Sequence, residues 1–213
     1  MAYERLVWPP VSSPVSDILS QMSYQFADIR EFMIARGPEG GLSIATLLVV
    51  LTDSAANLLQ PGIKEPSDRF RRFVNDNFPW AVDPPFGLVV EDAVDLMWEI
   101  VRAPAVHRMG LQPADPPFEV RYVILFSPTD ERLSQIEMSA ERPFSDPTIR
   151  FDGRTLTIQL ESWYWALRQA IIKAVDTQEK VSAIGDHLRR GDFARMNGLY
   201  KLLRPDVPRS KKD

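Results

Sequence analysis

The chain has 213 residues, no cysteine, only two histidines and a net charge of −4, with 45% hydrophobic and 25% charged residues. These figures exclude disulfide frameworks, zinc–thiolate centres and thiol nucleophiles, and they argue against a disordered chain. They also weigh against broad, non-specific nucleic-acid affinity, which depends on many Lys and Arg contacts to phosphate.

A chain of this length buries roughly 70% of the surface its unfolded form exposes, so one domain needs no covalent or metal staple. His107 and His187 lie far apart, and neither a metal nor a cofactor is expected. We read one domain over 1–213. It comprises a helical half over 1–112, an α/β insertion over 113–160, C-terminal helices over 161–205 and a basic tail over 206–213. The N-terminal MAYERLVWPP lacks the basic start and apolar core of a signal peptide. The most apolar run, Ile44 to Leu51, is shorter than the ~18 residues of a membrane span. A cytoplasmic protein without membrane association is expected.

The elements follow in chain order. Ser13-Pro14 combines an N-cap with proline at the first helical position, and Val15, Ile18, Leu19, Met22, Phe26, Ile29 and Met33 then recur at helical spacing up to Gly37-Pro38. Leu42 to Leu59 is apolar nearly all round, as befits a helix in the middle of a bundle. Ser67 is the expected cap of a third helix, with Phe70, Phe73 and Val74 inward and Arg69, Arg71 and Arg72 outward. A fourth helix is expected from about Gly87 to Arg102, ended by Pro104, which disfavours the α conformation at Ala103.

After the proline-rich stretch 113–117 the texture changes. Phe118 to Phe126 is rich in β-branched and aromatic residues and reads as a strand. Ser127-Pro128-Thr129-Asp130 resembles a capping box opening a short helix to about Ala140. Asp152-Gly153 between Thr148–Phe151 and Thr155–Ile158 is a hairpin signal. A long helix is expected from about Ser162 to Arg189, then a shorter segment around Ala194 to Leu203. The fold class is therefore mainly α: four to five long helices with a small β-sheet or hairpin insertion before the last long helix.

Candidate chemistry centres on Arg102 and His107. Histidine titrates near neutrality and can move a proton, while arginine grips phosphate with a planar two-pronged donor set. Residues five apart do not share a face of a straight helix, but a break at Ala103 rotates them toward one cleft. Asp53, within the apolar second helix, either contacts Arg102 or ends the buried stretch. Glu99, three residues before Arg102, either pairs with it or stays at the surface. Arg108 follows His107 and completes the supporting set. His187, beside Asp186 and Arg189, reads as a solvated face. Trp163-Tyr164-Trp165 reads as core at the start of a helix against a sheet, with base stacking as the other possibility.

An apolar helix ending in Arg102-Ala103-Pro104-Ala105-Val106-His107 resembles the HEPN domain (higher eukaryotes and prokaryotes nucleotide-binding), a helical bundle marked by Arg, four to six residues, then His. Arg102, Pro104 and His107 match the version that reads Arg-Asn-Pro-x-x-His, and Ala103 stands in place of Asn. The resemblance is specific over about fifteen residues and architectural over the rest; the hairpin and the helix Gln159 to Val175 look like an elaboration found in some bacterial relatives.

The resemblance implies a metal-independent ribonuclease acting on RNA as a homodimer, often in toxin–antitoxin or antiviral defence, with an antitoxin as a further partner. It implies that Arg102 holds the scissile phosphate and that His107 transfers the proton, leaving a 2′,3′-cyclic phosphate and a 5′-hydroxyl. Loss of the Asn that caps the following helix permits a degenerate member. The competing expectation is a non-catalytic dimeric interaction or scaffold module; a helical small-ligand binder is a third.

Overall fold

The computed structural model describes residues 8 and 11, 15–102, 118–124 and 128–203, with side chains described up to residue 190. It is mainly helical with a small three-stranded sheet. Helix α1 (Val15–Arg36) runs through a single 3₁₀ turn, Gly37–Gly40, into α2 (Gly41–Leu59). Gly37 supplies the positive φ (+53°) that ends α1, and Pro38 follows at the start of the 3₁₀ turn. The expected cap at Ser13-Pro14 falls outside the described residues.

Helix α3 (Pro66–Asn77) begins two residues earlier than expected. Glu65 takes the N-cap place and Pro66 the first helical position, where its missing N–H costs nothing, so Ser67 is inside the helix rather than its cap. Phe70, Phe73 and Val74 are fully buried, as their spacing requires. Helix α4 is shorter than expected: it starts at Val90 and is α-helical only to Leu96. Residues Met97–Arg102 then form a π turn, a widened coil with i→i+5 hydrogen bonding. Val89, within the expected helix, is left outside it and exposed.

Strand β1 is Glu119–Val123. Helix α5 (Asp130–Met138) opens with Thr129, whose Oγ1 accepts the Arg132 amide at 3.2 Å, so the cap lies at Thr129 within the Ser127–Asp130 run. The hairpin appears as β2 (Ile149–Phe151) and β3 (Thr155–Gln159), paired antiparallel around Gly153 at φ +90°. β1 adds to β3 in parallel, giving the order β1-β3-β2. Phe86 extends the β2 edge by one bridge, its N–H on Ile149 O (3.1 Å) and its carbonyl accepting from Phe151 N (2.9 Å). The next residue must be glycine: Gly87 has φ +75°, and a Cβ there would stand 2.0 Å from Phe151 O.

The single long helix expected after the hairpin is two. Helix α6 (Leu160–Ala174) and α7 (Gln178–Leu203) are separated at residues 175–177, and the segment expected around 194–203 is the end of α7. Asp176 and Thr177 explain the break, since short polar side chains compete with the helical backbone: Thr177 Oγ1 accepts from Lys180 N at 3.3 Å and so begins α7.

Buried apolar residues from Val15 to Leu188 form one cluster, with α2 and α6 at its centre. Trp163, Tyr164 and Trp165 are at most 1% exposed, so this trio is core and not a base-stacking platform. Trp163 Nε1 donates to Thr52 Oγ1 (3.3 Å), and that hydroxyl donates to Leu48 O (2.7 Å), which satisfies the indole and joins α6 to α2. The span Val15–Leu59 holds a window of mean hydropathy 1.7, longer than the Ile44–Leu51 run and sufficient by composition to cross a membrane. Half of that window is buried within the fold, which is where a core helix puts its apolar side chains.

Candidate functional site around Arg102

Arg102 is the last residue of the π turn and is 7% exposed. A π turn holds more residues per revolution than an α-helix, so each side chain after it is rotated relative to the α register. Here the turn packs against α2 and α3. Arg102 reaches across to α2 and donates from Nε to Asp53 Oδ1 (3.3 Å) and from Nη2 to Oδ1 (3.3 Å) and Oδ2 (3.2 Å). The pair is a side-on, two-pronged arginine–carboxylate contact. Asp53 therefore contacts Arg102, and it does more than end the apolar stretch of α2. Its side chain is 28% exposed against 8% for Arg102, so the carboxylate sits at the rim and the guanidinium below it.

The guanidinium also lies on an aromatic face. Its Cζ is 4.2 Å from the Trp98 ring centroid, a close cation–π contact. The Trp98 ring is in turn wedged against Phe70 at 5.4 Å, and Arg71 Cζ stands 5.6 Å from the same ring. By the triangle of these distances, the two guanidinium carbons are within about 10 Å of one another.

Glu99 does not pair with Arg102. It accepts from Arg71 Nη2 at 2.9 Å, while Arg71 Nε donates to Asp95 at 2.7 Å. The reason is geometric: the π turn carries Arg102 toward α2, whereas Glu99 stays on the face toward α3. Arg71 borders an open groove of about 500 Å³ along α3 and α4, lined by Asp68, Asp76, Glu91 and Asp95 as well as Arg71 and Arg72. Four carboxylates against two guanidiniums make that groove unfavourable for a phosphate backbone.

His107 and Arg108 lie outside the described residues, as do Ala103 and Pro104. Of the candidate residues, the structure thus unites Arg102 with Asp53 and sends Glu99 to a different partner. His187 is exposed on α7, as its neighbours suggested. Among the described residues there is no cluster of three His, Asp or Glu suited to a metal. Sequence reasoning missed Trp98 and Arg71. A signal existed for Trp98, four residues before Arg102 in Trp98-Glu99-Ile100-Val101-Arg102, the spacing at which helical side chains meet.

Two other buried carboxylates belong to scaffolding. Burial pushes Asp83 up from the ordinary carboxylate value, against the pull of Thr148 and Arg142, which clamp the loop before β2 to the segment following Pro79. Burial likewise raises Glu137, against the opposing effects of the Tyr164 hydroxyl, Arg30 and Arg168. Comparison with protein-family models, with curated proteins and with solved structures returned no match to this chain.

Proposed function

We propose that the chain is a HEPN-like, metal-independent endoribonuclease of the toxin–antitoxin or defence kind, acting on RNA as a cytoplasmic homodimer. The observation that supports this reading best is the setting of Arg102. The arginine of the Arg-x₄-His motif ends a π turn, is almost wholly buried, and is gripped by Asp53 while resting on Trp98. π turns concentrate at functional sites, and a buried guanidinium held by a carboxylate and an aromatic face is pre-organised, so little ordering is left to be done when an anion approaches.

In the proposed reaction Arg102 binds a non-bridging oxygen of the scissile phosphate and stabilises the charge that builds up there. His107 takes the proton of the 2′-hydroxyl as its oxygen bonds to phosphorus. The P–O5′ bond breaks as the leaving oxygen receives a proton, giving a 2′,3′-cyclic phosphate and a 5′-hydroxyl. In a homodimer, the partner's copy of the same histidine supplies that second proton. Asp53 acts through Arg102 and is a positioning residue.

A second reading is favoured by a specific observation. Asp53, Asp95 and Glu99 surround Arg71 and Arg102, which leaves the neighbourhood net acidic. Together with Ala103 in place of Asn, this fits a degenerate member in which Arg102–Asp53 is only a strut between α2 and the π turn, within a dimeric scaffold. Incubation with a varied RNA panel in EDTA separates the two. Cleavage leaving cyclic phosphate ends, lost in Arg102→Ala and in His107→Ala, supports the nuclease. Cleavage that is absent, or equal in the variants, sinks it in favour of the scaffold.

A further inference from the structure

We propose that Trp98 is the positioning residue that fixes the plane of the Arg102 guanidinium for a phosphodiester. This inference rests on the ribonuclease reading and adds to it a residue outside the Arg-x₄-His motif. An arginine side chain has several rotatable bonds, and Asp53, partly exposed at the rim, restrains the Nε–Nη2 edge of the group.

The indole adds a constraint on the face of the group. At 4.2 Å it covers one face of the guanidinium, so with Asp53 along the Nε–Nη2 side the group has a set plane and a set rotation within that plane. Trp98 can do this because it is itself immobilised. Phe70, fully buried in α3, packs on its ring at 5.4 Å with planes tilted by 56°, and Arg71 lies against the ring at 5.6 Å. The π turn sets Trp98 and Arg102, four residues apart, on the same indole–guanidinium stack. Packing alone asks only for an apolar side chain of adequate volume at position 98. Fixing a cation asks for an aromatic face.

That difference gives the test. Trp98→Phe keeps an aromatic face and Trp98→Leu does not, while both remove volume. In the full-length protein the Arg102 Nε–H resonance, assigned by its disappearance in Arg102→Lys, is expected to be shifted upfield by the ring and slow to exchange with water. Both properties persist in Trp98→Phe and collapse in Trp98→Leu. An unchanged Nε–H in Trp98→Leu, or equal loss in the two variants, overturns the assignment.

In the metal-free cleavage assay Trp98→Leu is expected to lose roughly tenfold in kcat and Trp98→Phe less than threefold. Equal rates in the two variants overturn the assignment as well. Wild-type protein that cuts no RNA defeats the ribonuclease reading and leaves the resonance of Arg102 to judge Trp98.

Discussion

Arg30 and Arg102 are both sunk beside carboxylates, and they are built differently. Arg30, in the middle of α1, crosses to α5, where Nε and Nη2 meet Asp130, Nη1 meets Glu137 at 3.0 Å, and Nη2 also reaches the Asp130 carbonyl at 2.7 Å and Ser134. Glu137 goes on to accept from the Tyr164 hydroxyl, whose ring meets Phe26 edge-on at 5.0 Å. Every bond in that network joins regular helices of the core. Arg102 instead emerges from the one turn among the described residues where helical geometry widens, and it meets a rim carboxylate and an indole. On the proposed reading, a buried charge tied into regular helices is architecture, whereas one carried by an irregular turn beneath a rim carboxylate is placed for use.

The contrast can be broken first by truncation. Arg30→Ala removes the ion-pair partner of buried Glu137, leaving it the Tyr164 hydroxyl, and is expected to cost about 3–5 kcal/mol in chemical denaturation, the scale of breaking a buried pair from one side. Arg102→Ala leaves Asp53 at the rim, where water reaches it, and is expected to cost only about 1–2 kcal/mol while removing cleavage. Equal losses of stability in the two variants would erase the distinction.

A smaller effect sharpens the same point through pH. Burial raises the Glu137 carboxyl above its ordinary value, so the folded protein holds that proton more tightly than the unfolded chain. The stabilisation it contributes is therefore present in acid and is lost as pH rises from the ordinary glutamate range through the folded pKa. Denaturation midpoints measured across that window should fall with rising pH, and Glu137→Gln should flatten the slope. Asp83 is shifted in the same direction and adds to the slope, so Asp83→Asn should remove a further part of it.

The smallest expected effect concerns Glu99. Its bond to Arg71 joins side chains 59% and 32% exposed, and Glu99→Ala should cost under about 0.5 kcal/mol in stability. Cleavage by Glu99→Ala should match that of the wild type. A large loss there would show that Glu99 serves Arg102 after all.

Much of this fold was legible because its helices bury one clear stripe. The spacing of Phe70, Phe73 and Val74 could be read directly, and Asp152-Gly153 announced its hairpin, whereas α2, apolar nearly all round, is not buried all round: Leu42, Leu47 and Val50 are exposed. Three features were not legible, each for a physical reason. The π turn has the same apolar spacing as the α-helix it interrupts, so periodicity ran straight through Leu96 to Arg102. The break between α6 and α7 falls at Asp176-Thr177 without glycine or proline, and local capping by Thr177 outweighs a periodic pattern. Parallel pairing of β1 with β3 is non-local, and no turn residue encodes it.

The site followed the same rule. Arg102 stood out by its motif, but its partner Asp53 lies 49 residues earlier, and only the packing of α2 against the π turn brings them together. Glu99 was the nearer acid in sequence, and the widened turn directs it elsewhere. Trp98 is the one aromatic residue in the stretch 87–102 and carries no motif, so nothing local tied it to Arg102 except its spacing.

The central claim, that Arg102–Asp53 is placed for chemistry and not merely for support, is tested most directly by exchanging the pair for apolar residues. Buried ion pairs replaced by apolar side chains of similar size often keep or gain stability. Asp53→Leu combined with Arg102→Met should therefore retain a cooperative unfolding transition near that of the wild type. The measurement is metal-free RNA cleavage by this double variant. Our account predicts a folded protein with cleavage lost by at least a hundredfold, the scale of losing one pre-organised charge-stabilising donor. A folded double variant that cleaves RNA as the wild type does would contradict it.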